Sequence, residues 1–275
     1  MAGGAPGVTR TRNHPLRRRV LYPVELRGQR VGSLTDKISL PFGGRRCRCE
    51  SGVCCGSLEA FEFRGAKCMT EFFAVHPTNP QPRSMSQAAE LIAQGGVLAI
   101  PTDSGYALVA HLDDKQAADA LRRYRGLDAR HHLTLLCRDL SEIGQFAKVD
   151  NQQYRLLKQA TPGPWTFILT ASREVPKRVS HPSRKTIGIR VPNHPVTSAL
   201  LELVGAPVLA TTLILPGQDA PLVDPEDVRE AFGKQLAGII DAGRCPWQPT
   251  TIVDLSGSEP EVLRLGAGDP ATIGL

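Results

Sequence analysis

The sequence predicts a single layered α/β domain with a mixed sheet over residues 69–275, preceded by a basic extension. From residue 69 onward, apolar runs typical of strands alternate with amphipathic stretches typical of helices. Two of these runs, 97–101 and 105–109, are close neighbours, as in an antiparallel hairpin, which favours a mixed sheet over a purely parallel one. A length of 275 residues and a hydrophobic content of 41% are sufficient for a sizeable core.

Capping signals and apolar runs define the elements of this domain. Ser84 and Gln87 form a capping-box pattern that starts the first helix, and Gly95 ends it. Asp113 is the predicted cap of the second helix, and Asp224 followed by Pro225 predicts a later one. The other predicted elements, in chain order, are strand 97–101, strand 105–109, helix 113–125, strand 133–137, helix 151–160, strand 165–170, strand 186–192, a helix from Asn193 to Val204, strand 207–212, and strands 237–242, 250–255 and 261–266.

The basic charge of the chain belongs to the extension. Residues 1–68 carry 13 Lys/Arg against 5 Asp/Glu, or +8, which leaves 20 against 22, or −2, for residues 69–275. Sequence-independent affinity for nucleic acid scales with the number of phosphates neutralised, so the domain is a poor candidate for an extended nucleic-acid groove. The alternative is a local basic pocket.

The extension also holds five of the seven cysteines, Cys47, Cys49, Cys54, Cys55 and Cys68. Because it lacks helical or strand periodicity and the paired spacing of zinc sites, we predict a disordered segment with reduced thiols rather than a metal site. Met69 is then the natural start, and residues 1–68 are an upstream extension or an artefact of start-site choice. The alternative is a genuine arm that binds RNA or metal or acts as a targeting peptide. A secretory signal and a membrane-length apolar run are both missing from the sequence, which predicts a cytoplasmic protein.

Candidate site residues cluster where the predicted strands end. Thr102, Ser104 and Tyr106 follow the first strand of the hairpin, at a position where open α/β sheets bind ligands. Arg190 lies inside an apolar strand and Arg264 in the last one, and a buried guanidinium needs either a carboxylate of the protein or a phosphate. Turn formation by Thr102 and Ser104, and an internal ion pair for Arg190, remain open as alternatives.

For several other residues, a structural role explains the sequence at least as well as a functional role. Asp103 either serves a metal or caps the turn, so the sequence assigns no metal site. His131 and His132 either supply a cation or lie in an exposed loop. Cys137 and Trp165 are predicted to pack in the core.

Five ordered motifs over residues 69–275 resemble one known family. "PTDSGYAL", "TPGPWTFIL", "TIGIRVPNHP", "PVLATTLILPG" and "PTTIVDL" followed by "EVLRLGAG" are similar to the YrdC-like threonylcarbamoyl-AMP synthases, and most of all to their YciO branch. The resemblance implies a twisted mixed sheet flanked by helices around a deep basic cavity. It implies a nucleotidyltransferase that joins L-threonine, bicarbonate and ATP, with Mg²⁺, into threonylcarbamoyl-AMP and pyrophosphate for transfer RNA modification.

The resemblance also implies a role for each candidate residue. Thr102, Ser104 and Tyr106 would surround threonine, and Arg125 and Arg190 would be the catalytic cations. The remaining matched positions would line the nucleotide side of the cavity: Thr166, Thr212, Thr250 and Arg264.

Two motifs differ from the family pattern. Arg125-Gly126-Leu127 stands where the family has Lys-x-Arg, and Thr212-Leu213-Ile214 stands where it has Ser-x-Asn. If each lost contact stabilised the transition state by about 2–3 kcal/mol, the reaction would be slower by roughly three to four orders of magnitude. The sequence therefore predicts a synthase of reduced activity, and the alternative is a nucleotide- or RNA-binding protein, double-stranded RNA included, without synthase activity.

Overall fold

A computed structural model describes residues 70–128, 133–176, 179–180, 183–218 and 220–275 of the chain. All of them belong to one compact unit, Ala60–Leu275. The predictions for residues 1–68, including the five cysteines, and for His131 and His132 lie outside the described residues. The helices are α1 (Pro82–Ala93), α2 (Lys115–Arg125), α3 (Leu140–Phe146), α4 (Asn151–Ala160), α5 (Pro195–Val204) and α6 (Pro225–Phe232), with a 3-10 turn at Pro270–Ile273. The strands are β1 (Glu71–Ala74), β2 (Leu98–Thr102), β3 (Gly105–His111), β4 (Thr134–Leu136), β5 (Ala147–Lys148), β6 (Trp165–Ala171), β7 (Thr186–Arg190), β8 (Val208–Thr212), β9 (Gly238–Asp241), β10 (Thr251–Asp254) and β11 (Glu261–Arg264).

The strands form one mixed sheet, which confirms the predicted fold class. Its order is β1-β9-β2-β3-β8-β4-β7-β6-β10-β11, and β5 pairs with β6 beside this path. The predicted hairpin is present, since β2 and β3 pair in antiparallel register. Parallel pairs such as β2 with β9 and β10 with β6 occur in the same sheet.

Helices cover both faces of the sheet, and the alternation of side chains along its central strands explains why. Leu98 and Ile100 of β2 pack with Met85 and Ile92 of α1 and with residues of α5. Ala99, between them in the sequence, belongs to the other core, which contains residues of α2, α4 and α6. Successive side chains of a strand point to opposite faces, so a strand between two helical layers is apolar at every position.

Three helix starts differ from the predictions. The first helix begins at Pro82 rather than at a Ser84 cap, because Pro82 occupies the first turn and Gln81 precedes it without a side-chain cap. The cap of α2 is Asp114, whose carboxylate accepts from the backbone N–H of Ala117, and not Asp113. The helix predicted from Asn193 begins at Pro195, again with proline in its first turn.

Other predicted caps are confirmed. Asp224 accepts from the N–H of Glu226 at the start of α6. Gly95 has a φ of 85° and follows the end of α1. The predicted core positions of Cys137 and Trp165 are also confirmed, since both are buried. Within the described residues, every helix is too short or too polar to cross a membrane.

Candidate functional site

The β2–β3 hairpin places three of the candidate residues in the interior. Thr102, Ser104 and Tyr106 are all buried. The Thr102 hydroxyl donates to the carbonyl of Gly105 at 2.6 Å, so the 3.3 Å contact between Thr102 and Ser104 is donated by Ser104. The Tyr106 hydroxyl donates to the carbonyl of Gly243 at 3.0 Å, and burial raises its pKa. The Thr102 hydroxyl thus holds the turn of the hairpin together, and the Tyr106 hydroxyl ties the hairpin to the segment after β9.

Arg190 at the end of β7 reaches this hairpin across the sheet. Its guanidinium forms an ion pair with Asp103 and donates to the hydroxyl of Ser104 at 2.8 Å. Three strands lie between β2 and β7 in the sheet. The contact therefore joins parts of the sheet that are not neighbours in its strand order.

His194 joins this group from the start of α5. The Thr197 hydroxyl on the first turn of α5 donates to the carbonyl of Pro101 at 2.6 Å, which fixes the helix start beside the end of β2. Burial lowers the pKa of His194, the charge of Arg190 lowers it further, and Asp103 opposes both. We call Asp103, Ser104, Arg190 and His194 the Asp103 cluster.

A second group lies where β6, β10 and β11 adjoin. The hydroxyls of Thr166 and Thr250 are 2.9 Å apart, and Arg264 donates to the carbonyl of Thr250 at 2.9 Å and lies 3.3 Å from its hydroxyl. We call Thr166, Thr250 and Arg264 the Thr250 cluster.

The two clusters adjoin each other at Arg190. Phe167 pairs with Ile189 in the β6–β7 register, so Thr166 and Arg190 come next to each other. The charge of Arg264 also contributes to the lowering of the pKa of Arg190, after the larger effect of burial. Most of the candidate residues therefore lie in one continuous region of the fold.

Arg125 and Thr212 lie at a third place, where the two altered motifs meet. Arg125 at the end of α2 donates to the main-chain carbonyl of Ile214, and burial lowers its pKa. Thr212 is exposed at the end of β8, two residues before Ile214. The segment after β8 is tied to the hairpin, because Leu213 donates its N–H to the carbonyl of Tyr106. Arg125 therefore holds the segment that borders the hairpin.

One open cavity of about 330 Å³ lies elsewhere, between α3 and α4. It is lined by residues such as Leu140, Ile143 and Tyr154, and none of the candidate residues borders it. Since it lacks a convergent set of charged groups, the Asp103 and Thr250 clusters are the better candidate site.

The sequence alone indicates neither a role for His194 nor the partner of Arg190. His194 directly precedes a proline in the first turn of a helix, which is a cap position but carries no chemical signal of its own. Asp103 precedes Arg190 by 87 residues, and no local pattern pairs residues at that distance.

Comparison with known proteins identifies similar sequences. The family model of Sua5, YciO and YrdC, described as "Telomere recombination", matches residues 90–266. YciO of Escherichia coli K12, an uncharacterised protein, is 47% identical over 201 residues, which cover 73% of this chain and 98% of that protein. A threonylcarbamoyl-AMP synthase of Pyrococcus abyssi is 30% identical over 65% of this chain and 53% of its own length.

Solved structures have the same fold. The crystal structure of E. coli YciO matches with a TM-score of 0.72 at 46% identity, covering 74% of this chain and all of that one. The structure of P. abyssi Sua5 complexed with L-threonine matches with a TM-score of 0.67 at 27% identity, covering 72% of this chain and 58% of that one. The predicted resemblance and the predicted twisted mixed sheet are both confirmed.

Proposed function

The chain belongs to the family of Sua5, YciO and YrdC proteins, and on that premise we propose that it is a slow threonylcarbamoyl-AMP synthase. Its substrates are L-threonine, bicarbonate and ATP, and its products are threonylcarbamoyl-AMP and pyrophosphate, with transfer RNA as the final acceptor of the threonylcarbamoyl group. We place this activity in a domain spanning residues 69–275 of a cytoplasmic protein.

The observation that carries the proposal is the position of Arg190 between the two clusters. Ser104, on the amino-acid side, accepts a hydrogen bond from Arg190, while Thr166, on the nucleotide side, is its neighbour in register. An amino acid at the hairpin and a nucleotide at the Thr250 cluster would therefore meet at one guanidinium. The relatives named as synthases, and the Sua5 structure with L-threonine, support this assignment.

The proposed chemistry needs no side-chain nucleophile. The threonine amine forms a C–N bond with carbon dioxide derived from bicarbonate and loses a proton, which gives a carbamate. A carbamate oxygen then bonds to the α-phosphorus of ATP as the bond to the departing pyrophosphate breaks. Both partners are anionic, so Arg190 and Arg264 contribute by neutralising charge and holding the reacting groups close together.

Mg²⁺ fits this scheme as part of the nucleotide substrate. Among the described residues, no group of three or more His, Cys, Asp or Glu side chains is arranged to hold a metal ion. Mg²⁺ commonly binds through substrate phosphates and water, with one or two protein carboxylates. It would supply further charge neutralisation at the triphosphate.

The test is pyrophosphate release from ATP by the full chain. We expect release that requires both threonine and bicarbonate, and a loss of at least tenfold in Arg264→Ala, because a removed transition-state donor costs roughly 10²–10³ in rate. Arg229→Ala is the matched control, since Arg229 is exposed on α6 and forms a 3.8 Å ion pair with Glu226. Pyrophosphate release that continues without threonine or without bicarbonate would contradict the proposal. Equal rates in Arg264→Ala and Arg229→Ala would also contradict it.

One observation favours the alternative function, nucleotide or RNA binding without turnover. Arg125 donates to the Ile214 carbonyl, and an arginine committed to the main chain is a poor substitute for the catalytic lysine of the family. The last turn of α2 also carries Arg122, Arg123 and Arg125, of which Arg123 is exposed. RNA retention that falls steeply with salt, without pyrophosphate release, would establish this alternative.

A further inference from the structure

The open cavity between α3 and α4 has the size of a site for a small ligand. Its volume of about 330 Å³ lies at the lower end of the range for small-molecule pockets, which is roughly 300–1,000 Å³. An apolar cavity of about 150 Å³ is sufficient for one benzene molecule. The cavity between α3 and α4 therefore has room for about two fused rings with a short chain.

Each of the two helices contributes one apolar face to the walls of this cavity. Leu140 and Ile143 are three residues apart on α3, and Tyr154 and Leu157 have the same spacing on α4, so each pair shares one face of its helix. Ile143 and Leu157 are buried and belong to the larger core, which gives the cavity an apolar base. Tyr154 is 48% exposed, so much of its ring is open to a ligand. Such walls favour an apolar group, and an aromatic ring in particular.

Gly144 keeps this space open at a cost to α3. It lies within the helix, where glycine is less favourable than alanine. Its φ is not in the positive range, and a Cβ at this position would have no heavy atom within 4 Å beyond its own helix backbone and chain neighbours. Neither the backbone conformation nor the packing therefore requires a glycine. Because Gly144 lines the cavity, the effect of the missing side chain is to leave room for a ligand.

The charge of the cavity restricts what can bind. Among the described residues that line it, Asp150 alone is charged. Its Oδ1 accepts from the backbone N–H groups of Gln152 and Gln153, both at 2.8 Å, and so caps α4. Its Oδ2 has no hydrogen bond within the described part of the chain. Lys148 and Arg155 are exposed and do not line the cavity. The cavity therefore offers a carboxylate oxygen, which favours a cation that carries N–H donors.

We propose that the cavity between α3 and α4 is a binding site for a small aromatic amine. The ring lies between the helices in contact with Ile143, Tyr154 and Leu157, and the protonated amine donates to Oδ2 of Asp150. Burial of the ring supplies most of the affinity, and the charged hydrogen bond sets the preference for a cation. The site shares no residue with the Asp103 or Thr250 cluster and does not depend on the proposed function.

The experiment compares tryptamine with indole-3-propionate, which have the same ring and a similar chain but opposite charge. Each is titrated into the full chain at neutral pH, with saturation-transfer NMR to detect contact and calorimetry to give the dissociation constant. For tryptamine we expect a dissociation constant on the order of 0.1–1 mM, as is usual for a ligand of this size. Indole-3-propionate should bind about threefold more weakly or worse, since an exposed charge pair changes affinity modestly. Equal binding of both compounds, or no saturable binding of tryptamine, would overturn the proposal.

A pair of substitutions at Gly144 tests the location. Gly144→Leu fills the cavity and should weaken tryptamine binding about tenfold or more. Gly144→Ala is the matched control, because it adds a single methyl group and should keep the affinity within about twofold of the parent. Both substitutions favour the helix, so neither should lower the melting temperature. Tryptamine binding that is unchanged in folded Gly144→Leu would place the amine elsewhere and refute the site.

A substitution at Asp150 tests the charge. Asparagine caps helices as well as aspartate does, so Asp150→Asn removes the charge while α4 keeps its cap. We expect the preference for tryptamine over indole-3-propionate to disappear in this variant. Asp224→Asn is the control, since Asp224 caps α6 by the same kind of bond and does not line the cavity. A preference that persists in Asp150→Asn, or that is lost equally in Asp224→Asn, would contradict the proposed contact with the amine.

Discussion

Arg190 illustrates how one residue can have both of the roles that the sequence left open. It forms the internal ion pair with Asp103, and its buried Nε has no hydrogen-bond partner among the described residues. A buried pair contributes modestly to stability while both partners are present, but removing one partner leaves an uncompensated charge. Its structural and functional roles therefore have to be separated by paired substitutions.

The stability of the chain tests the ion pair. Arg190→Met keeps the apolar stem of the side chain and removes its charge, and we expect the free energy of unfolding to fall by about 3 kcal/mol in urea titrations. Adding Asp103→Asn should restore part of this loss, because the unpaired carboxylate is then gone. Arg229→Met, at an exposed position, should change the free energy by less than about 0.5 kcal/mol. Purely additive losses in the double variant would show that the two side chains do not interact.

The sequence identified Arg190 as an unusual residue but did not indicate the residues that surround it. A cation inside an apolar strand is visible in the sequence, so Arg190 could be predicted as a site residue. Its contacts with Asp103 and Ser104 join strands that are separated by three others in the sheet, and no local pattern contains that information. His194 was missed for the same reason.

Among the secondary-structure elements, the end of α2 and the segment after β8 act as one unit. Arg125 joins them through the Ile214 carbonyl, and Pro216 lies 3.8 Å from where a side chain on Gly126 would begin. Gly126 has a φ of 63°, a backbone conformation that favours glycine, so α2 ends there and the chain turns toward the β8 segment. Both motifs that differ from the family pattern lie at this contact.

Restoring the family residues at this contact should raise activity. The triple change Arg125→Lys, Leu127→Arg and Ile214→Asn is expected to increase threonine-dependent pyrophosphate release at least tenfold, which needs about 1.4 kcal/mol at the transition state. Because the two segments are in contact, the gains in activity of the three single variants should sum to less than the gain of the triple variant. A folded triple variant no faster than the parent, checked by thermal melting, would count against the synthase and favour the binding function.

The elements that could be predicted were those with strong local signals. The strand 165–170 and the helix 151–160 agree with β6 and α4, and α4 carries a capping box between Asp150 and Gln153. The short elements β1, β5 and α3 were not predicted. Two or four residues of strand are stable only through their neighbours, and the neighbour of β1 is β9, far away in the sequence.

For the molecule as a whole, His194 predicts how stability depends on pH. Its pKa in the folded chain lies below its ordinary value of about 6.5, so the unfolded chain binds more protons as pH falls. The contribution of His194 to the free energy of unfolding is therefore fully present above about pH 6.5. It is lost as the pH falls below that value, by at most about 1.4 kcal/mol per pH unit. Urea titrations between pH 7.5 and 5 should give a smaller decrease for His194→Gln than for the parent. An identical decrease in the parent and in His194→Gln would exclude His194 as a source.

The strand order also has a consequence for how the chain is made. Strand β9 lies between β1 and β2, and β8 covers the other edge of the β2–β3 hairpin. Since synthesis proceeds from the N-terminus, the hairpin emerges first and has neither neighbour until residues 208–212 and 238–241 follow. Its two open edges can meanwhile pair with other chains. Translation that stops before residue 238 therefore leaves a fragment that contains much of the core but exposes the first strands of the sheet, and such fragments are the products most prone to aggregate.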